Sequence, residues 1–296
     1  MAGKGLYAWG GLLCWTICAL LPPSLAATEQ PSGEGIIRES LSRHESYGTL
    51  CEELTMVLTD SRGERSVREV KTFAREASAE GSHFLLRVDA PSELSGVALL
   101  LHRPPAGETA IDLYLPAFGQ ELKGETLGGG GPFLDTDFTP LDLLGERPEE
   151  SRYLPPTEAR IDLIDYWVIE AVPLSEEIAR KTGYGRRRIF VRQDTLLISR
   201  IDYLDRHDRL IKRQTRHDLK RIEGRSWQAG MVLMESLAAP HQTLLKRGRR
   251  VFADDCAPLE RFTPAALFTH PQRAEGQEAE RGSEETPAEE SAESGE

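Results

Sequence analysis

The stretch from Arg186 to Phe252 limits what this chain can fold into more than any other. RRIFVRQD, TLLISRIDYLD, RLIKRQTRHDLKRI, SWQAGMVLMES and QTLLKRGRRVF are each rich in β-branched, aromatic or aliphatic residues. The breaks between them are polar: Gln193-Asp194, Arg206-His207-Asp208, Glu223-Gly224 and Ala239-Pro240. This pattern predicts a meander of antiparallel strands. In the second segment Leu197, Ser199, Ile201 and Tyr203 alternate with Leu196, Ile198, Arg200 and Asp202, and one of the two sets ends in charge. A sheet of such strands is wet on one side and covered on the other.

The same period of two runs through the preceding part of the chain. Leu50, Glu52, Leu54, Met56 and Leu58 alternate with Cys51, Glu53, Thr55 and Val57, and Ser61-Arg62-Gly63 turns the chain into a second strand from Arg65 to Arg75. Strands are expected at His83–Asp89, Val97–Arg103 and Ala110–Leu115, with prolines 91, 104, 105 and 116 between them, where no ladder donor is lost. Pro155–Val172 reads as one or two strands, and Leu174–Gly183 as a helical or loop insertion. Ile37, Leu41 and His44 fall at helical spacing and predict a short helix within Ile36–Tyr47. Thr139-Pro140 and Thr263-Pro264 each place a hydroxyl at an N-cap and proline at the first helical position. Asp135, Asp137 and Asp142 also admit a cation site, but EF-hand spacing with its terminal Glu is absent, and capping is the better reading of this segment.

The net charge of −12 is unevenly placed: Arg273–Glu296 holds nine Glu against two Arg. That composition predicts a disordered acidic tail over 271–296. At the other end, Lys4, the apolar run Leu6–Leu21 and Ser24-Leu25-Ala26 read as a cleavable signal peptide over 1–26, too short to span a bilayer and followed by no lipobox. The expected mature chain is therefore exported and has no stable membrane span. It has a lead-in and short helix over 27–48 and one domain over 49–270. Cys51 and Cys256 are the cysteines that survive cleavage, either as a disulfide or as two buried small hydrophobes.

Gly128–Gly131 is followed by Pro132-Phe133 rather than Gly-Lys-Ser/Thr, so it reads as a flexible loop able to hinge a lid and not as a phosphate cradle. Nucleophile-elbow, zinc-helix, Cys-x-x-Cys, dinucleotide and kinase signatures are absent, and no metal or cofactor is expected. The Lys/Arg clusters between Arg186 and Arg250 lack interleaved stacking aromatics, which together with export argues against nucleic acid. They read as a solvated strand face, or else as a surface for lipid phosphate.

Tyr203, Asp205, Asp208, Leu210, Lys212, Gly224, Trp227, Met231, His241 and Thr243 together form a pattern that resembles the LolA-like family of outer-membrane lipoprotein-sorting proteins. Asp137-Phe138-Thr139, Asp142-Leu143 and Phe262-Thr263-Pro264 extend the resemblance over roughly Thr49 to Phe268. The hairpin departs from it, with His207-Asp208-Arg209 where the family usually has Asp-Gly. The resemblance implies a mainly β (α+β) fold: a strongly curved antiparallel sheet, an incomplete β-barrel, with short helices over its concave face. It further implies a periplasmic, non-catalytic carrier that binds acyl chains of a lipoprotein or another lipid in an apolar cavity. Residues of one parity within each strand are the expected cavity wall: Leu54, Met56, Leu86, Val88, Leu99, Leu101, Leu113, Met231 and Leu233. Two alternatives keep the fold: an accessory or sensor module that binds an inner-membrane lipid exporter or other protein, and a hydrolase with a polar triad in the cavity.

Overall fold

The computed structural model describes residues 3, 31–45, 48–77, 80–116, 120–123, 131–222 and 226–267. The chain divides into two compact units, Met1–Gln30 and Pro31–Glu296, and the architecture below is that of the second. The expected signal segment, Gly128 to Gly130, the Glu223-Gly224 break and the acidic tail lie outside the described residues.

Helix α1 spans Gly33–His44 and is followed by β1 (Thr49–Thr59), β2 (Arg65–Ala77), β3 (Gly81–Ala90), β4 (Ala98–Arg103), β5 (Ala110–Leu115) and β6 (Gln120–Lys123). A short helix α2 (Pro140–Leu143) precedes β7 (Ser151–Tyr153), β8 (Thr157–Ile161), β9 (Ile164–Pro173), helix α3 (Glu176–Thr182) and β10 (Arg186–Arg192). Then come β11 (Ile198–Leu204), β12 (Leu210–Ile222), β13 (Ser226–Ser236), β14 (His241–Val251) and helix α4 (Pro264–Leu267). The strands form one antiparallel sheet in the order β6-β5-β4-β3-β2-β1-β14-β13-β12-β11-β10-β9-β7, with β8 also pairing with β9. The sheet is open, its edges β6 and β7 remaining apart.

Two meanders, β1 to β6 and β9 to β14, are thus joined where the first strand pairs with the last, Met56 opposite Leu245 and Leu58 opposite Thr243. The expected parity is buried in β1, β3, β4 and β5, whereas in β13 Val232 and Met234 turn inward in place of the expected Met231 and Leu233. Val70, Leu86, Val88, Leu99, Leu101, Ile111 and Leu113 form one apolar cluster with Met56, Ile169, Ile189, Val191, Val232, Met234 and Leu245. Over this inner face lie α1, through Ile36 and Ile37, and the segment from Phe133 to Leu144. Gly33 lets the helix approach closely, because a Cβ there would stand 2.4 Å from the Leu154 carbonyl oxygen.

The outer face carries a second, smaller cluster. Leu85, Ala98 and Leu100 pack against Ala257, Phe262 and Leu267 of the chain that follows β14. A disulfide between Cys51 and Cys256, with Cα atoms 6.2 Å apart, pins that segment to β1. The bridge does not tie the two ends of the sheet, as first-to-last placement in sequence would suggest, because β1 and β14 are central neighbours.

Both threonine caps form. Thr139 and Asp142 make a reciprocal capping box on α2, and the Thr263 hydroxyl accepts from the Ala266 N–H. The insertion after Pro173 is α3, started by the Ser175 hydroxyl and ended by Gly183 at φ 80°. The edge strands β6 and β7 are four and three residues long, too short for a period of two to reveal.

Candidate functional site

A cavity of about 680 Å³ lies on the inner face, between the sheet, the C-terminal turn of α1 and the chain from Phe138 to Glu149. Leu54, Phe138, Leu143, Leu144, Val232 and Leu245 give it apolar wall, and Glu45, Glu52, Arg103, Arg147, Arg216 and Arg247 give it charge. Its rim follows strand ends. Gly48, Glu76, Gly81, Ser82 and Arg103 all line it, and the registers Thr49 to Arg75, Glu76 to Ser82 and Ser82 to Arg103 place them at one end of β1 to β4.

The segment that covers the sheet is held by polar contacts at every turn. Phe133 and Phe138 insert into the apolar cluster, while Leu134 and Asp135 take left-handed backbone (φ 46° and 59°). The Thr136 hydroxyl donates to the Phe133 carbonyl at 2.6 Å, and Arg68 of β2 donates to the Leu134 carbonyl. From β14, Thr243 donates to the Asp137 carboxylate at 2.7 Å and His241 Nδ1 lies 2.8 Å from it. From β12, Lys212 Nζ lies 2.6 Å from Asp142 Oδ2 and 3.1 Å from the Asp137 carbonyl. That ammonium also stands 5.0 and 5.1 Å from the ring centres of Tyr184 and Tyr203. The Tyr184 hydroxyl donates to Asp142 at 2.9 Å, and burial beside that carboxylate raises its pKa well above the ordinary value.

Residues widely separated in sequence but sharing the family-like pattern therefore meet here: Asp137, Thr139, Asp142, Tyr203, Lys212, His241 and Thr243. They clamp the cover to the sheet. The Thr243 hydroxyl donates to Asp137 and not to His241, so this threonine is not in line with the imidazole as a triad would require. Asp205 has a different task, its carboxylate accepting from the amides of His207 and Arg209 in the β11–β12 turn. Those bonds hold its pKa at about 2. Of the three aspartates Asp135, Asp137 and Asp142, the clamp engages Asp137 and Asp142. Among the described residues, no group of three or more His, Cys, Asp or Glu is placed to hold a metal ion.

Of the expected wall residues, Leu54 lines the cavity. Met56, Leu86, Val88, Leu99, Leu101 and Leu113 face the same side but are packed within the apolar cluster, Leu86 and Leu99 fully buried. Met231 and Leu233 are half-buried and stand on the opposite parity from Val232 and Met234, which enter the cluster. Leu143, Leu144, Leu245 and Trp227 line the cavity without having been expected in its wall; the Asp142-Leu143 element, Trp227 in the family-like pattern and the apolar QTLL run were the signals available. The basic run from Arg186 to Arg250 is largely paired. Arg200 and Arg213 meet on Asp202, Arg186 and Arg188 on Glu170, and Arg247 and Arg250 on Glu52.

His44, at the end of α1, lines the cavity and is buried. Its Nδ1 accepts from the Trp227 N–H at 3.0 Å, and its Nε2 lies 2.9 Å from the Thr195 carbonyl. That geometry requires the neutral imidazole, and burial lowers the pKa. Stability from this group is complete above the unfolded-state pKa of about 6.5 and is lost as pH falls below it towards the lowered folded value. Wild type should accordingly lose thermal stability between pH 7.5 and 5.5, and His44→Gln should lose less over that interval. Equal pH dependence of the two melting temperatures would refute this.

A family model described as that of an uncharacterized protein matches residues 80–269. No curated protein matches the chain. Solved structures do. A domain of an outer membrane lipoprotein-sorting protein from Vibrio parahaemolyticus aligns with TM-score 0.73 and 23% identity, over 79% of this chain and 97% of its own. A DUF1329 family protein from Desulfovibrio piger aligns with TM-score 0.72 and 23% identity, over 80% and 99%. A LolA superfamily protein from Nitrosomonas europaea aligns with TM-score 0.64 and 15% identity, over 79% and 99%. The open antiparallel sheet with its few short helices is the fold these proteins share.

Proposed function

We propose, since the chain belongs to the family of uncharacterized proteins matched over residues 80–269, that it is a non-catalytic carrier whose inner cavity holds the acyl chain of a lipoprotein or another lipid. The observation that carries this reading is the cavity itself. Its volume of about 680 Å³ lies within the roughly 300–1,000 Å³ of small-molecule sites, and Leu54, Phe138, Leu143, Leu144, Val232 and Leu245 offer hydrocarbon contact. Each methylene buried there contributes about 0.8 kcal/mol. The lipoprotein-sorting fold supports the same reading, and the Leu6–Leu21 run with Ser24-Leu25-Ala26 supports work in the periplasm. The Phe133–Leu144 segment is the cover under which a chain would be enclosed.

The test is native mass spectrometry of protein from the periplasmic fraction, followed by titration of the delipidated protein with an acyl-chain probe. The expected result is a chain that starts near Ala27 and carries lipid, and a delipidated form that binds the probe. Leu54→Asn, at the wall, should weaken binding severalfold with little loss of melting temperature. Leu86→Asn and Leu99→Asn, fully buried, should each cost about 3 to 5 kcal/mol of stability, and Met231→Asn should affect neither strongly. A delipidated wild type that binds no probe would reject the carrier.

A further inference from the structure

Arg103 closes β4 and stands on the cavity rim, with Ser82 opposite it on β3. The backbone is tight at this point. A Cβ on Gly81 would come 2.1 Å from the Arg103 carbonyl oxygen, and Gly81 has φ 88°, so the position excludes other residues. The charged groups that act on Arg103 are Glu150, Arg147, Glu146 and Glu149. Each of these carboxylates is already committed. Glu146 takes Arg187 at 2.5 Å, Glu149 takes Arg38 at 3.0 Å, and Glu150 takes Arg147 at 3.1 Å.

Arg38 also takes Glu34 at 2.8 Å, so the charges of this cluster balance, but each carboxylate is in ion-pair contact with another guanidinium and, among the described residues, none with that of Arg103. Its only hydrogen bond among the described residues is a long one, 3.4 Å from Nη2 to the Gly145 carbonyl, and its Nε is buried with no acceptor. Arg103 is half-buried, but a guanidinium whose Nε is shut off from water with its donor unfilled is costly unless an anion completes it. Of the other arginines lining the cavity, Arg147, Arg216 and Arg247 are paired with Glu150, Glu45 and Glu52, and Arg75 donates to the carbonyls of Asp254 and Ala257. The planar fork of an arginine fits the two oxygens of a carboxylate or phosphate.

We propose that Arg103 is the headgroup site of the cavity, binding the carboxylate or phosphate that terminates an acyl chain lying along Leu54, Phe138, Leu143 and Leu144. The cargo is then an anionic amphiphile rather than an uncharged lipid. This rests on the carrier reading, and the test separates the two.

Delipidated full-length protein, wild type and Arg103→Gln, is titrated calorimetrically with dodecanoate, dodecyl phosphate, dodecanol and inorganic phosphate. Wild type should bind at least one of the two anionic chains about tenfold or more tightly than dodecanol, as a charge-assisted pair formed at Arg103 implies. Arg103→Gln should bring that anion to the dodecanol level while leaving dodecanol binding and the melting temperature unchanged. Comparison within wild type needs no variant, so a misfolded Arg103→Gln does not rescue the idea. Equal binding of dodecanol and both anions by wild type overturns the headgroup site and leaves the carrier standing. Inorganic phosphate binding as tightly as dodecyl phosphate overturns the amphiphile in favour of a free anion. Failure of every chain to bind overturns both.

Discussion

Lys212→Met is expected to cost the fold about 3 to 5 kcal/mol, the usual penalty for removing one partner of a buried ion pair. The ammonium and the Asp142 carboxylate are 2.6 Å apart, with side chains 11% and 4% exposed. Without Lys212, Asp142 retains the Tyr184 hydroxyl and the Thr139 N–H but no cation, and the Asp137 carbonyl also loses a donor. The loss falls on the contact that fastens α2 to β12, so the cover should loosen before the sheet unfolds. Urea denaturation measures the total, and hydrogen exchange at residues 136–144 locates it. A loss below 1 kcal/mol with unchanged exchange would show that the clamp is not held by this pair.

Removal of the Cys51–Cys256 bridge by a double alanine substitution should cost a comparable amount, roughly 4 to 5 kcal/mol in the chain-entropy treatment of a very long loop. The cysteines are 205 residues apart in sequence. The bridge also has a local task, because the segment it pins buries Ala257, Phe262 and Leu267 on the outer face. Supporting contacts remain: Thr49 donates to Asp254 at 2.6 Å, and Arg75 donates to the carbonyls of Asp254 and Ala257. Arg261 lies over the Phe73 ring at 4.3 Å. The expected outcome is a lower urea midpoint together with earlier proteolysis after Val251 than elsewhere. An unchanged midpoint would mean that these contacts suffice.

The local rules for strands and caps were legible from residues alone. Alternation in Leu50 to Leu58 and the polar turn at Ser61-Arg62-Gly63 correspond to β1, the turn and β2 in register Thr59 to Arg65. The threonine-proline pairs correspond to capped turns of helix. The cavity wall was less legible, and the reason is visible at β13. Met231 and Leu233 are as apolar as Val232 and Met234, so a period of two cannot say which set turns inward. Pairing with β14 decides it, because Val232 lies opposite Leu245 and Met234 opposite Thr243, and Thr243 is bonded to the cover through Asp137.

By itself, then, the sequence determined the longer strands, their turns, the capped helices and the antiparallel meander, since each depends on residues near in the chain, while the openness of the sheet was implied only by the family resemblance. Tertiary structure alone decided which apolar residues became solid core and which became wall. Leu86 and Leu99 are closed into one apolar cluster with Phe133 and Phe138, whereas Leu54 lines the cavity beside the C-terminal turn of α1, a difference made by segments distant in sequence. The same holds for charge. The Arg/Lys run looked like a uniform basic face, yet its arginines find Glu52, Glu170 and Asp202 on their own or neighbouring strands. Arg103, outside that run, is left with unfilled donors, because electrostatic pairing is settled by distance in space and not by spacing along the chain.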